Sequence, residues 1–332
     1  MKFKVLLNGF GRFGLHLLTY YLHNLEWSQF EIVEILDDSL SVEQMFKIIK
    51  SDRYCQLPTN TEIILNGKKL VIQKEGIRLE IKLTEKKNIN LINLSQFDLI
   101  FECSGKFTDA NKYRDLLRTS HTKVIISATS YNADQTLLIG FNHQDYSTKS
   151  QIVSYGSCTV NAFVPLTSAL NSEFGVLNSD VNVIHNIPEY KLKSNPEILE
   201  RRDCTLQKMA PKLLSFLHES NFHVNYTIVP FSGVSRIDFR YELDSKVKNL
   251  NQVFSVIDDC KNHLQRNLYD IDAVDSGPDN YLNKFTSASF IVNQSIVRGN
   301  NVYLSAYFDT ENSVNRFFDL ANYICEIGAK SV

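Results

Sequence analysis

The stretch Lys2-Phe3-Lys4-Val5-Leu6-Leu7-Asn8-Gly9-Phe10-Gly11-Arg12-Phe13-Gly14 decides the fold of the N-terminal half. Lys2 to Leu7 reads as an apolar strand, three glycines follow at G-x-G-x-x-G spacing, and Leu15, Leu18 and Leu22 then recur at helical intervals. A second strand, Phe30 to Leu36, runs into Asp37-Asp38, and Asp37 lies 23 residues beyond Gly14. This order is a dinucleotide-binding fingerprint: glycines let the backbone approach a pyrophosphate, the helix N-terminus faces its charge, and a carboxylate accepts from ribose hydroxyls. A tight turn with close helix packing is the plainer reading of three glycines; the strand-helix-strand-Asp context favours the cofactor.

Working outward, short apolar runs at Leu99 to Cys103 (leading into Ser104-Gly105), Val124 to Ser127, Leu137 to Phe141 and Ile152 to Tyr155 read as further buried strands. Strands mixed with helical segments predict an open, largely parallel sheet. After Ser157-Cys158 the pattern changes. Val160, Phe163, Val164, Leu166 and Leu170 make one helical face, and strand-like runs follow at Asp180 to His185, Val224 to Val229, Ile237 to Leu243, Ser287 to Ile291 and Asn301 to Phe308. Val314 to Ile327 is helical again. The expected class is α/β: a Rossmann-type, doubly wound sheet over residues 1–157, completed by the C-terminal helix over 314–332, plus an α+β catalytic domain with a mixed or antiparallel sheet over 158–313.

Length and composition agree with two ordinary globular domains: 332 residues, 43% apolar and 22% charged. Lys and Arg number 35 against 37 acidic residues, a net charge of −2, so charge gives no reason to expect nucleic acid or an anionic membrane as partner. No apolar run reaches the ~18 residues of a membrane span, and Val5 to Leu7 is too short for a signal peptide. A cytoplasmic protein is expected. Six cysteines (Cys55, Cys103, Cys158, Cys204, Cys260, Cys325) lie 46 to 65 residues apart without a Cys-x-x-Cys pair, which indicates free thiols and neither a disulfide framework nor a structural zinc site.

Cys158 opens a predicted helix, where unpaired backbone N–H groups favour a thiolate and can hold an oxyanion. His185, 27 residues later at a strand end, is the residue type that takes a catalytic thiol's proton. Read alone, such a cysteine is more often a small buried hydrophobe.

The chain resembles phosphorylating glyceraldehyde-3-phosphate dehydrogenases over essentially its full length. The resemblance is carried by Asn8 to Gly14, by Phe101-Glu102-Cys103-Ser104-Gly105-Lys106-Phe107-Thr108, by Gly140-Phe141-Asn142-His143, by Ser157-Cys158-Thr159-Val160-Asn161, by Val229-Pro230 with Val234-Ser235, and by Asn315-Arg316. It implies that Cys158 is the nucleophile and His185 its partner. It implies NAD as cofactor, with Gly9, Phe10, Gly11, Arg12, Phe13, Gly14, Asp37, Ser104, Gly105, Phe107, Ser127 and Asp309 at its site, and no metal. It also implies a small aldehyde substrate, with a sugar phosphate and inorganic phosphate among the candidates, Ser157 and Thr159 at the attacking phosphate, and a homotetramer.

The departures fall at the substrate phosphate. Pro188, Tyr190 and Ile228 stand where the resemblance places Thr, Asp and Arg, and the segment from Arg201-Arg202 to Val229-Pro230 is about ten residues shorter than in the family, by a resemblance of motifs alone. Asp309 and Ser313 replace an amide and an aromatic near the nicotinamide. The first reading is therefore an NAD-dependent, Cys-based aldehyde dehydrogenase with an altered phosphate site. The alternative is a catalytically weak member kept as a cofactor-binding, regulatory or interaction protein; a third reading, an amino-acid semialdehyde dehydrogenase, fits the Ser-Cys-Thr-x-Asn form less well.

Overall fold

The computed structural model describes residues 2–118, 120–187, 192, 194–308 and 310–330. In chain order its elements are β1 (Phe3–Asn8), α1 (Arg12–His23), β2 (Phe30–Asp37), α2 (Val42–Ser51), β3 (Thr61–Asn66), β4 (Lys69–Lys74), β5 (Ile77–Glu85), β6 (Leu99–Glu102), α3 (Ala110–Leu116), β7 (Lys123–Ile126), β8 (Gln135–Thr136) and β9 (Ile152–Ser154). Then come α4 (Cys158–Phe174), β10 (Val176–His185), β11 (Glu200–Arg201), α5 (Thr205–Leu213), β12 (Phe222–Ile228), β13 (Ser235–Leu243), α6 (Leu250–Asp259), β14 (Tyr269–Asp272), β15 (Ala288–Ile291), β16 (Ile296–Arg298), β17 (Asn301–Phe308) and α7 (Thr310–Lys330).

These elements form two compact units. The first comprises Met1–Leu137, Gln144–Gly156 and Phe317–Val332; the second comprises Leu138–His143 and Ser157–Arg316. The first holds a nine-stranded sheet in the order β3-β4-β5-β2-β1-β6-β7-β9-β8. Its central strands are parallel, with β1 between β2 and β6, as the apolar runs Val5 to Leu7 and Leu99 to Phe101 require of strands covered on both faces. A right-handed crossover through α1 joins β1 to β2 in any such unit, which puts the N-terminus of α1 at the carboxyl ends of the strands.

One edge was not apparent from the apolar runs. β3, β4 and β5 are an antiparallel meander closed by two-residue turns, Gly67-Lys68 and Glu75-Gly76. Gly67 at φ +59°, then Glu75 and Gly76 at φ +49° and +84°, supply the left-handed geometry that such turns need. The run Leu137 to Phe141 is a correction in the other direction. It forms no strand; Leu138 begins a turn in which Phe141 and Asn142 donate to its carbonyl and Gly140 sits at φ +80°. Leu137, Leu138 and Ile139 are buried all the same, so the run has the composition of a core strand without the ladder.

The last helix supplies aromatic rings to the first unit. Phe317 packs edge-on against Phe13, Phe101 and Tyr155 at 5.5, 5.1 and 5.5 Å, and Phe318 against Tyr20 and Phe30 at 5.1 and 5.4 Å. Edge-to-face pairs add about 0.5–1.5 kcal/mol each beyond their buried area.

The second unit is built on an eight-stranded mixed sheet, β11-β12-β10-β13-β17-β15-β14, with β16 beside β17. β10 pairs parallel with β12 and antiparallel with β13. β13 alternates buried and half-buried residues along its whole length, the period-two pattern of a strand covered on one face. Among the described residues no helix is long and apolar enough to cross a membrane.

Candidate active site

In the first unit the three glycines have separate jobs. Gly9 lies at φ +96°, and a Cβ there would stand 2.4 Å from the Ser104 backbone. A Cβ on Gly14 would stand 2.1 Å from the Gly9 carbonyl oxygen. Gly11 meets nothing within 4 Å. The first and third glycines are therefore packing positions, and the second opens a space that any side chain would fill. Gly11 is also the N-cap of α1, with no capping side chain and no acidic residue in the first turn, so those N–H groups suit an external anion.

That space is a cavity lined by Gly9, Gly11, Asp37, Asp38, Ser104, Lys106 and Phe107, among others. Asp37 is buried and accepts hydrogen bonds at both oxygens. One carboxylate oxygen accepts the Phe10 N–H at 2.8 Å; the other accepts the N–H groups of Ser39 and Leu40 and the Ser39 hydroxyl, each at 2.9 Å. Burial alone would raise its pKa, but these donors outweigh it and hold the carboxyl below the usual range. Asp38 is the more exposed, and Lys106 Nζ spans both its oxygens at 2.7 and 2.6 Å. Beneath the cavity, buried Glu102 accepts from Asn8 Nδ2 at 2.6 Å, the Tyr113 hydroxyl at 2.5 Å, the Ser104 N–H at 2.8 Å and the Ser104 hydroxyl. Desolvation still pushes the Glu102 carboxyl up despite those four donors.

Other residues of the expected cofactor set stand outside this lining. Phe10 and Phe13 turn into packing, Arg12 lies 5.9 Å from the Tyr54 ring, and Gly105, at φ +70°, belongs to the turn after β6. Ser127 partly offsets the rise that burial imposes on the Cys103 thiol. Asp309 lies outside the described residues, as do Pro188 and Tyr190.

The second unit brings Cys158 and His185 together. Cys158 is the first residue of α4, after Ser157, whose hydroxyl accepts the Val160 N–H at 3.3 Å as N-cap. His185 ends β10, with Nε2 at 3.8 Å from Cys158 Sγ and Nδ1 at 2.7 Å from the Asn186 carbonyl. A carbonyl only accepts, so Nδ1 carries a proton and Nε2 is the nitrogen turned toward the thiol. Asn186 is itself anchored: its N–H donates to Ser235 Oγ at 3.1 Å, Ser235 Oγ donates to its side-chain oxygen at 3.1 Å, and its amide donates to the Gly233 carbonyl. Tyr226 and Phe308 flank the imidazole at 5.4 and 5.8 Å.

Ser157 and Thr159 sit together, their hydroxyls 3.2 Å apart, and a third hydroxyl joins them: Thr205 Oγ1, 3.4 Å from Ser157 Oγ, at the start of α5. Thr205 and Tyr226 were missed from sequence, because Thr205 is brought to the site by the packing of α5 and Tyr226 by strand pairing, and neither by any local motif. Ile228 is 7% exposed and pairs with His185 in the β10–β12 register, so the wall beside the histidine is apolar there.

Cys158 is half-buried while the other five cysteines are buried. Burial pushes up the thiols of Cys55, Cys103, Cys204 and Cys325, and that of Cys260 to about 11. Brief iodoacetamide treatment at neutral pH is therefore expected to alkylate Cys158 first, read by peptide mass spectrometry. Equal labelling of several cysteines would contradict a poised thiol.

Residues 3–110 match the family model for the glyceraldehyde 3-phosphate dehydrogenase NAD binding domain. Over nearly the whole chain the protein is similar to glyceraldehyde-3-phosphate dehydrogenase 1 of Bacillus cereus, at 27% identity covering 98% of this chain and 99% of that one. The enzyme of Geobacillus stearothermophilus is 26% identical over 99% of this chain and 100% of its own. That of Zymomonas mobilis is 31% identical over 56% of this chain and 54% of its own. The open glycine turn, the uncapped helix start and the matched domain agree on NAD as the cofactor, and over nearly its whole length the chain is similar, at low identity, to glyceraldehyde-3-phosphate dehydrogenases.

Proposed function

We propose that the protein is an NAD-dependent oxidoreductase that oxidises a small aldehyde through Cys158. The observation that carries this reading is the Cys158–His185 pair, 3.8 Å apart with the histidine tautomer set by the Asn186 carbonyl. Cys158 Sγ attacks the aldehyde carbon and its proton passes to His185 Nε2, giving a hemithioacetal. His185 Nε2–H gives that proton to the oxygen that was the carbonyl, and takes it back as the C–H hydride departs. NAD, when bound, supplies the hydride acceptor. The resulting thioester is released by a nucleophile, and the hydroxyls of Ser157, Thr159 and Thr205 at the start of α5 form a place for inorganic phosphate in that role.

In the cofactor cavity Asp37, whose Oδ2 accepts only the Phe10 N–H, and the more exposed Asp38, spanned by Lys106, are the carboxylates beside the adenosine ribose. NAD is expected to bind more tightly than NADP, because a 2′-phosphate would meet both carboxylates. Asp38→Asn should weaken NAD by about 10- to 150-fold, the worth of one charge-assisted hydrogen bond of ~1.5–3 kcal/mol. Calorimetric titration checks both, and equal affinity for the two nucleotides would sink the assignment.

The substrate tail is set apart from the family by Ile228, where the resemblance places an arginine. Activity on glyceraldehyde 3-phosphate is expected to be at least about 100-fold below that of an ordinary family member, from roughly two lost contacts of ~1.5 kcal/mol each. Ile228→Arg alone should recover little, since the new guanidinium would enter an apolar wall. The deciding experiment is a panel of small aldehydes with NAD and NADP, with and without inorganic phosphate, followed as reduced nicotinamide. The apolar Ile228 wall also favours a second reading, a cofactor-binding protein without turnover, and a blank across the whole panel would establish it.

A further inference from the structure

A third cluster of reactive side chains lies in the first unit, away from the cofactor cavity lining. His16 on α1 meets Asp52 and Cys55 on the turn that follows α2, and one ligand atom from each lies within 4.8 Å of the other two. His16 and Cys55 are 7% and 5% exposed, while Asp52 is half-buried. An imidazole nitrogen, a thiolate sulfur and a carboxylate oxygen are ligands that zinc takes at about 2.0–2.3 Å in a tetrahedron, commonly three from protein and one from water. Around such an ion the ligand atoms stand about 3.5 Å apart, so closing the trio requires side-chain movements of about an ångström.

We propose that His16, Asp52 and Cys55 form a binding site for a divalent transition metal of the zinc type, with water as fourth ligand. The turn is already ordered for it. Asp52 caps α2, and one of its carboxylate oxygens accepts the N–H groups of Tyr54 and Cys55 at 2.8 and 2.9 Å, which holds carboxylate and thiol on the same side of the turn. Binding forms a metal–sulfur bond and releases the Cys55 proton to solvent. The thiolate and the Asp52 carboxylate then cancel the charge of the dication, so Arg12, the cation facing both His16 and Cys55, meets a neutral centre. The metal would tie the helix behind the glycine turn to the end of α2, a structural role independent of aldehyde chemistry.

The test uses the full chain, stripped with a chelator and titrated with cobalt(II) as a spectroscopic stand-in, then with zinc. One equivalent of cobalt should give a thiolate-to-cobalt charge-transfer band in the near ultraviolet, bleached by zinc, and zinc should raise the melting temperature. The band should vanish in Cys55→Ser, survive in Cys158→Ser, and need at least tenfold more cobalt in His16→Asn. A wild-type chain that gives no band overturns the proposal without recourse to any variant. So does a band that survives Cys55→Ser and is lost in Cys158→Ser, which would move the metal to the other thiol. Circular dichroism of each variant shows whether it is folded, and if Cys55→Ser is not, persistence of the band in Cys158→Ser and its weakening in His16→Asn decide the matter.

Discussion

Cys158→Ala is expected to lower aldehyde-dependent reduction of NAD by on the order of 10⁴-fold or more, because the covalent route disappears and no other group replaces the nucleophile. NAD affinity and the far-ultraviolet circular dichroism should be unchanged, since the thiol heads a helix at a half-buried position and the N-cap bond from Val160 to Ser157 does not involve it. His185→Ala should cost about 10²–10⁴-fold, the usual worth of a positioned acid–base group, and the double variant should be little worse than Cys158→Ala alone. The rates are read as the appearance of reduced nicotinamide with whichever aldehyde of the panel turns over. If Cys158→Ala keeps more than a tenth of the activity, thioester chemistry at this residue is not the reaction.

Gly14→Ala is expected to destabilise the first unit by about 3 kcal/mol or more and to abolish NAD binding. The added carbon would lie 2.1 Å from the Gly9 carbonyl, a backbone atom that cannot rotate away, and 3.2 Å from Leu7 on the central strand, so the turn itself has to move. Gly11→Ala is the matched control. Its carbon meets nothing, so melting should stay within about 0.5 kcal/mol of the parent, yet it enters the space that the cofactor needs and NAD affinity should drop sharply. Thermal melts with calorimetric titration separate the two effects. An unchanged melt for Gly14→Ala, or unchanged NAD affinity for Gly11→Ala, would contradict these roles.

What could be read from sequence was whatever is local. Gly9, Gly11 and Gly14 are spaced by the turn they make, and Cys158 announces itself at the head of an apolar helical face. The meander over residues 61–85 was passed over although Asn66-Gly67 and Glu75-Gly76 are turn signals. Its last strand even alternates strictly, Ile77, Leu79, Ile81 and Leu83 against Arg78, Glu80 and Lys82, but β3 and β5 are largely exposed and lack the continuous apolar run by which the buried strands were found. The run at Leu137 misled because burial selects the same residues in a loop as in a strand; only the turn around Gly140 separates them. Asp37 and Asp38 are neighbours, and no sequence pattern tells which one the end of β2 commits to backbone N–H groups. Thr205, Tyr226 and the His16–Asp52–Cys55 trio come together through tertiary packing, at spacings that correspond to no motif.

The aromatic contacts of Phe317 and Phe318 bear on the order in which the molecule can be made. Phe13, Phe30 and Phe101 leave the ribosome early, but the rings that cover them are separated from the rest of their unit by residues 157–316. At ordinary elongation rates that interval takes on the order of ten to thirty seconds. The first unit waits that long with an uncovered aromatic surface, and the sheet of the second, whose inner strand β17 ends at Phe308, closes only shortly before those rings are made. Both units are thus completed by the last stretch of chain to be made, and the usual precedence of the N-terminal domain in folding is lost.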